Sequence, residues 1–165
     1  KGHKFVLDAF SKVVDRIPDT HLICAGYGSK IEIDYVNELV NEYGLNDNVH
    51  ILEFREDKEN LLSQTDILII GSQAYESFGY TAIEAMASKV PVVATNIGGL
   101  PEVVKDGEGG YCLKHDDVDN YANKIIELLQ DKRLRIDQGV KGYYRYKNKF
   151  SAKEMAKKYY KFIKE

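Results

Sequence analysis

Two carboxylates and the residues between them make the chain's strongest case for chemistry. Glu76 and Glu84 are separated by seven residues, Ser77-Phe78-Gly79-Tyr80-Thr81 among them. The apolar run at 67–70 reads as a buried strand and 77–88 as a helix, so this stretch falls where a strand gives way to a helix. The first amides of a helix have no intrahelical partner. With the positive end of the macrodipole they make a site for phosphate or pyrophosphate. Gly79 lets a ligand approach the backbone closely. Glu84 is followed by Ala85-Met86-Ala87, and a carboxylate in so apolar a segment is costly unless paired or ligand-bound. Spacing alone leaves a second reading open, an exposed helical Glu that only helps solubility.

Positioning these groups takes a sheet. Helical spacing runs through Val6, Phe10, Val13, Val14 and Ile17, then over 30–43, 57–64, 77–88, 100–105, 117–130, 132–148 and 151–164. Short apolar runs at 21–25, 49–54, 66–70, 91–95 and 110–113 read as strands. Ser151 with Glu154 predicts a capping box for the last helix. Strand and helix in alternation, with continuously apolar strands, predict an α/β, Rossmann-like parallel sheet covered by helices on both faces. Ligands of such sheets bind at the carboxyl ends of the strands. The loops to search therefore follow Ala25, Leu52, Ile70, Thr95 and Leu113. No repeat or linker divides residues 1–165, which read as a single domain. Because the chain opens directly into a helical pattern, a strand is expected upstream of it.

Composition narrows the function classes. With 44% hydrophobic and 30% charged residues the chain is neither disordered nor low-complexity. No apolar run exceeds four residues, against the roughly 20 that a membrane span needs. No secretory leader is recognisable, and the expected location is cytoplasmic. Residues 1–140 carry 14 basic against 24 acidic side chains, whereas 141–165 carry nine against two. An acidic body argues against nucleic acid as a partner. The basic end is either a solvated helix face or a peripheral contact with an anionic membrane, at its inner face. Cys24 and Cys112 make no metal or disulfide pattern and read as buried thiols. The four histidines share no motif, and no metal site is expected. Seven of the twelve tyrosines fall at 111–160, where packing or domain docking explains them better than sugar stacking.

The stretch from Glu76 to Thr95, with its Glu-x7-Glu mark, resembles the donor-binding signature of the group 1 glycosyltransferases, glycosyltransferase family 4. Asn96-Ile97-Gly98-Gly99-Leu100-Pro101-Glu102-Val103-Val104, Asp106-Gly107-Glu108-Gly109-Gly110-Tyr111 and Cys24-Ala25-Gly26-Tyr27-Gly28 are similar to its other segments, in the same order. Lys1-Gly2 resembles the end of its Arg-to-Lys-Gly stretch. Lys89 departs from the family, which usually has Gly there.

The resemblance implies the C-terminal, nucleotide-sugar-binding half of a GT-B enzyme, whose N-terminal domain binds the acceptor. It implies retaining transfer from a UDP-, GDP- or ADP-linked sugar without a metal or other cofactor, in polysaccharide or glycolipid synthesis. Glu84 would take the ribose hydroxyls, Glu76 the hydroxyls of the transferred sugar, and Lys1 the leaving diphosphate. The Phe78, Gly79, Tyr80 and Thr81 amides, beside Ser77, would hold the sugar and diphosphate. Phe54 and Arg55 would border the base, although Arg55 could instead pair with its acidic neighbours. Gly26 and Gly28 would pass close to the nucleotide, or simply make a tight turn. The helices over 132–165 would pack on this domain or cross toward the N-terminal one, and the isolated domain would be inactive. The alternatives are a nucleotide-sugar epimerase of GT-B type and a non-catalytic nucleotide-binding module. A phosphorylase would need a pyridoxal lysine, and none lies between Glu76 and Glu84.

Overall fold

The computed structural model describes residues 2–164. Lys1, expected to meet the leaving diphosphate, lies outside them. Five strands run parallel: β1 Leu22–Ala25, β2 Val49–Leu52, β3 Leu68–Ile70, β4 Val92–Thr95 and β5 Gly110–Leu113. They form two ladders, β1-β2 and β3-β4-β5. Leu22 is in register with Val49, Leu68 with Val92 and Val92 with Gly110.

Eight α-helices connect and cover the strands. They are α1 His3–Arg16, α2 Lys30–Glu42, α3 Lys58–Ser63, α4 Tyr80–Ala87, α5 Leu100–Val103, α6 Val118–Gln130, α7 Lys132–Arg145 and α8 Ala152–Lys164. The alternation along β4 shows how both faces are buried. Val93 enters one core with Phe5, Leu7, Phe10 and Val13 of α1, Val36 and Leu39 of α2, and Tyr121 and Ile125 of α6. Val92 and Ala94 enter the other, with Ala82, Ile83 and Met86 of α4 and Leu100 and Val103 of α5. All of β4 is buried, which is why its sequence is apolar without alternation. The expected fold class, a parallel α/β architecture with helices on both faces, is the one observed.

Several element limits differ from the expectation. The helix predicted from 77 begins at Tyr80, because Gly79 takes φ 83°, a left-handed conformation that no helical residue adopts. The helix predicted over 132–148 ends at Arg145 and continues as a π-helical turn, Tyr146–Phe150, which lets Tyr146 and Phe150 reach the α4–α5 core. Only half of the predicted Ser151 box forms: Glu154 N donates to Ser151 Oγ at 3.4 Å, while the Glu154 carboxylate binds Lys157 instead. A complete box occurs elsewhere, where Ser29 and Glu32 cap α2 reciprocally. Beyond α7 the packing thins. Helix α7 buries Gln138, Gly139, Gly142 and Arg145, whereas α8 buries no residue among those described. No described helix is long and apolar enough to cross a membrane.

Candidate functional site

At the carboxyl end of β3 the chain loops through 71–79 before entering α4, and the loop after β4 holds it in shape. Gly99 N donates to Glu76 O at 3.0 Å. Gly98, at φ +58°, passes so close that a Cβ there would stand 1.9 Å from Glu76 O, and one on Gly99 would stand 2.7 Å from Ser77 O. Thr95, fully buried at the end of β4, donates its hydroxyl to Ser72 O at 2.6 Å. Two strand-end loops are thereby joined backbone to backbone, and Gly98-Gly99 is the sequence that contact requires.

The Glu76 side chain turns toward the helix. Its Oε1 accepts from Gly79 N at 3.2 Å, so one of the amides expected to serve a ligand is already engaged. Ala82 and Ile83 donate back to Gly79 O, and the Tyr80 and Thr81 amides precede the first of these bonds. Those two amides remain directed out of the helix, at the positive end of its dipole. Gly79 is fixed by the protein itself, since its φ is left-handed and a Cβ would meet Leu100 Cδ2 at 2.9 Å. Phe78 sets its ring edge-on to Tyr80 at 5.1 Å and to Phe150 of the π-helical turn at 6.2 Å, which braces the loop from the C-terminal side. Ser77, Phe78, Tyr80 and Thr81 are exposed, and Glu76 is half-buried.

Glu84 is partnered, which resolves the expected cost of a carboxylate in an apolar segment. Lys58 Nζ, in the first turn of α3, meets its Oε1 at 2.5 Å. This contact holds the Lys58 ammonium above its ordinary range, through the hydrogen bond first and the charge second.

The loops after β1 and β2 meet one another. Tyr27 and Phe54 stack with ring centroids 4.6 Å apart and planes 7° from parallel, leaving Tyr27 88% exposed. Arg55 makes two 2.8 Å bonds to the Asp57 carboxylate, the local pairing left open above. That pair raises the guanidinium and lowers the Asp57 carboxyl, its hydrogen bonds being the largest cause in each case. Gly26 faces open space, where a Cβ would touch nothing, while one on Gly28 would contact Ile33 Cγ1 at 3.3 Å. Neither has a positive φ, so the fold itself does not demand glycine at Gly26.

The candidate residues thus form two groups at the carboxyl ends of the strands. Glu76, Ser77, Phe78, Gly79, Tyr80, Thr81 and Glu84 belong to the β3–α4 connection. Gly26, Gly28, Phe54 and Arg55 belong to the two loops above the β1-β2 ladder. The Lys58–Glu84 pair links the groups across 26 residues of sequence. Sequence reasoning missed Lys58 and Tyr27. The placement of Tyr27 between two glycines was a visible signal, whereas nothing local marks Lys58 among the charges at 55–59. Among the described residues, no group of three His, Cys, Asp or Glu side chains is placed to hold a metal ion.

Comparison with known proteins gives a consistent family. The chain is 34% identical over 134 residues to the N-acetyl-alpha-D-glucosaminyl L-malate synthase of Bacillus anthracis, covering 81% of this chain and 34% of that protein. It is 30% identical over 181 residues to the alpha-1,3/1,6-mannosyltransferase ALG2 of Dictyostelium discoideum, covering 100% of this chain and 43% of that one. The chain therefore spans a third to under half of these relatives. Among solved structures, a glycosyltransferase from Rickettsia africae superposes with a TM-score of 0.90 at 29% identity, over 99% of this chain and 44% of the other. Anabaena HepE in complex with UDP superposes at 0.89 and 26% identity, over 99% and 45%. The C-terminal domain of the group 1 family protein LpcC from Francisella tularensis superposes at 0.81 and 29%, over 92% and 80%. The family model of the group 1 glycosyl transferases matches residues 1–145, and the chain belongs to that family.

Proposed function

We propose that this chain is the donor-binding, C-terminal half of a retaining glycosyltransferase that moves a sugar from a nucleoside diphosphate to an acceptor. The observation that carries this reading is the α4 N-terminus, where the Tyr80 and Thr81 amides point outward between Glu76 and Glu84. In this reading the diphosphate lies on those amides, near the exposed Ser77 and Phe78. The Glu84 carboxylate accepts from the ribose hydroxyls, and Glu76, held by Gly79 N, accepts from hydroxyls of the transferred sugar. The base lies above the β1-β2 ladder, near Gly26, Gly28, Phe54 and Arg55, with the Tyr27 ring as a further planar surface. The UDP complex of HepE and the match to the LpcC C-terminal domain support the assignment of nucleotide and domain.

The barrier such a site lowers is that of leaving-group departure. As the bond from the anomeric carbon to the diphosphate oxygen breaks, negative charge grows on the diphosphate. Fixed amides and the helix dipole stabilise that charge without reorganising, and Lys1 adds a full positive charge, so no metal is required. The acceptor site belongs to an N-terminal domain of the same enzyme, and α8 is the element that reaches toward it. A strand preceding Gly2 fits between β1 and β3. Each of those strands has a described ladder partner on one side only, and Gly2 lies directly against Gly71 at the end of β3. The chain by itself is expected to transfer no sugar.

Titration with UDP, GDP and ADP by calorimetry or NMR tests the reading. One of the three should bind, and Glu84→Ala should weaken it ten-fold or more, about 1.4 kcal/mol. No binding by a folded sample, or equal binding by the variant, would overturn the donor-site assignment.

A further inference from the structure

The Lys58–Glu84 pair needs an explanation that folding does not supply. The two side chains are 56% and 35% exposed, and pairs so accessible to solvent add little to stability. Yet the contact is specific in where it runs. Lys58 opens α3, directly after the loop that carries Phe54, Arg55 and Asp57, and it reaches across to the second turn of α4. It binds Oε1 of Glu84 and leaves Oε2 without a recorded partner among the described residues. A long, flexible carboxylate on a half-exposed helix face otherwise samples several rotamers. Anchored through one oxygen by an ammonium, it presents the other oxygen in one direction.

We infer that Lys58 is a positioning residue for Glu84: it fixes the carboxylate so that its free oxygen, and the remaining lone pair of the bound one, face the diol of a nucleoside diphosphate. The inference rests on the assignment of Glu84 to the ribose hydroxyls. It also couples the two groups of site residues, because α3 begins where the loop beneath the proposed base ends. A carboxylate aimed in advance loses less conformational entropy when the ribose arrives. The opposite device, a lysine that blocks Glu84 until a nucleotide displaces it, predicts the opposite sign on removing Lys58.

The test compares UDP, GDP and ADP with their 2′,3′-dideoxy counterparts, titrated against the wild-type chain and the variants Glu84→Gln, Lys58→Met and Lys58→Arg. The wild type should prefer the ribonucleotide, and Glu84→Gln should lose that preference. If either fails, the donor-site reading falls and this inference with it. With that arm satisfied, Lys58→Met should weaken the ribonucleotide about three- to ten-fold and leave the dideoxy nucleotide unchanged, and Lys58→Arg should restore affinity to within about two-fold. Binding by Lys58→Met that equals or exceeds wild type overturns the positioning role while leaving the donor site standing. Equal loss for both nucleotides overturns it too, because a purely structural lesion would act in that way.

Discussion

Lys89 is the only described non-glycine residue at a positive φ, 61°. The reason is the end of α4. Val90 N donates to Ala85 O and Lys89 N to Met86 O, the paired bonds of a helix closed by a left-handed residue. An ammonium 5.4 Å from the Tyr143 ring centre offsets part of the strain. Lys89→Gly should therefore stabilise the chain by about 0.5–1 kcal/mol in urea denaturation. Gly98→Ala should act in the other direction, since its methyl would overlap Glu76 O. A loss of about 2 kcal/mol or more is expected, with weakened nucleotide binding in the titration above. The cysteines give a pH prediction. Burial, and then the Asp106 carboxylate, push the Cys112 thiol up to about 11. The unfolded chain thus gives up this proton first. Its contribution to stability is complete below the ordinary thiol range and is lost as pH rises through that range toward 11. At pH near 8.5, iodoacetamide should modify Cys112 slowly in the folded protein and quickly in urea.

Among the elements, α7 is stitched to α5 and to the start of β5 by two buried polar side chains. Arg145 is 6% exposed and donates to Val103 O at 2.7 Å, Glu102 O at 2.7 Å and the Glu108 carboxylate at 2.8 Å. Gln138, 3% exposed, accepts from Gly109 N and Gly110 N at the start of β5. Removing the guanidinium leaves the last carbonyls of α5 and a carboxylate without their donor. Arg145→Met should accordingly cost about 2–4 kcal/mol by chemical denaturation. These contacts span 42 and 43 positions, and no local pattern announces them. Helix α2 shows the reverse case. Its Ser29–Glu32 box is a local spacing present in the sequence, as Ser151–Glu154 is, yet only the first closes fully. At Ser151 a nearby Lys157 captures the glutamate, an outcome that spacing by itself does not decide.

For the molecule as a whole, the body ends before α8. That helix leaves Met155, Tyr159, Tyr160, Phe162 and Ile163 more than half exposed and buries nothing described. Deleting 152–165 should keep cooperative unfolding and shift stability by no more than about 0.5 kcal/mol, whereas deletion from 132 should abolish folding. Thermal denaturation followed by circular dichroism distinguishes these outcomes. The sheet carries the complementary prediction. Extending the chain upstream by the expected strand should raise stability if that strand joins β1 to β3, because both ladders now end at edges without a described partner.

The sequence by itself determined the order and class of the elements. Apolar strands such as 67–70 and 91–95, glycines at the turns and helical spacing are local signals, and local sterics and burial set them. It also singled out Glu76, Glu84 and the Phe78-Gly79-Tyr80-Thr81 opening of α4, since helix-end chemistry is written in adjacent residues. Tertiary structure decided what each group touches. Glu76 closes on Gly79, Arg55 on Asp57, Tyr27 on Phe54 and Glu84 on Lys58. Of these, the first two join near neighbours and were within reach of the sequence. The last two join residues 27 and 26 positions apart, and only the folding of separate strand ends to one edge of the sheet brings such side chains within bonding distance.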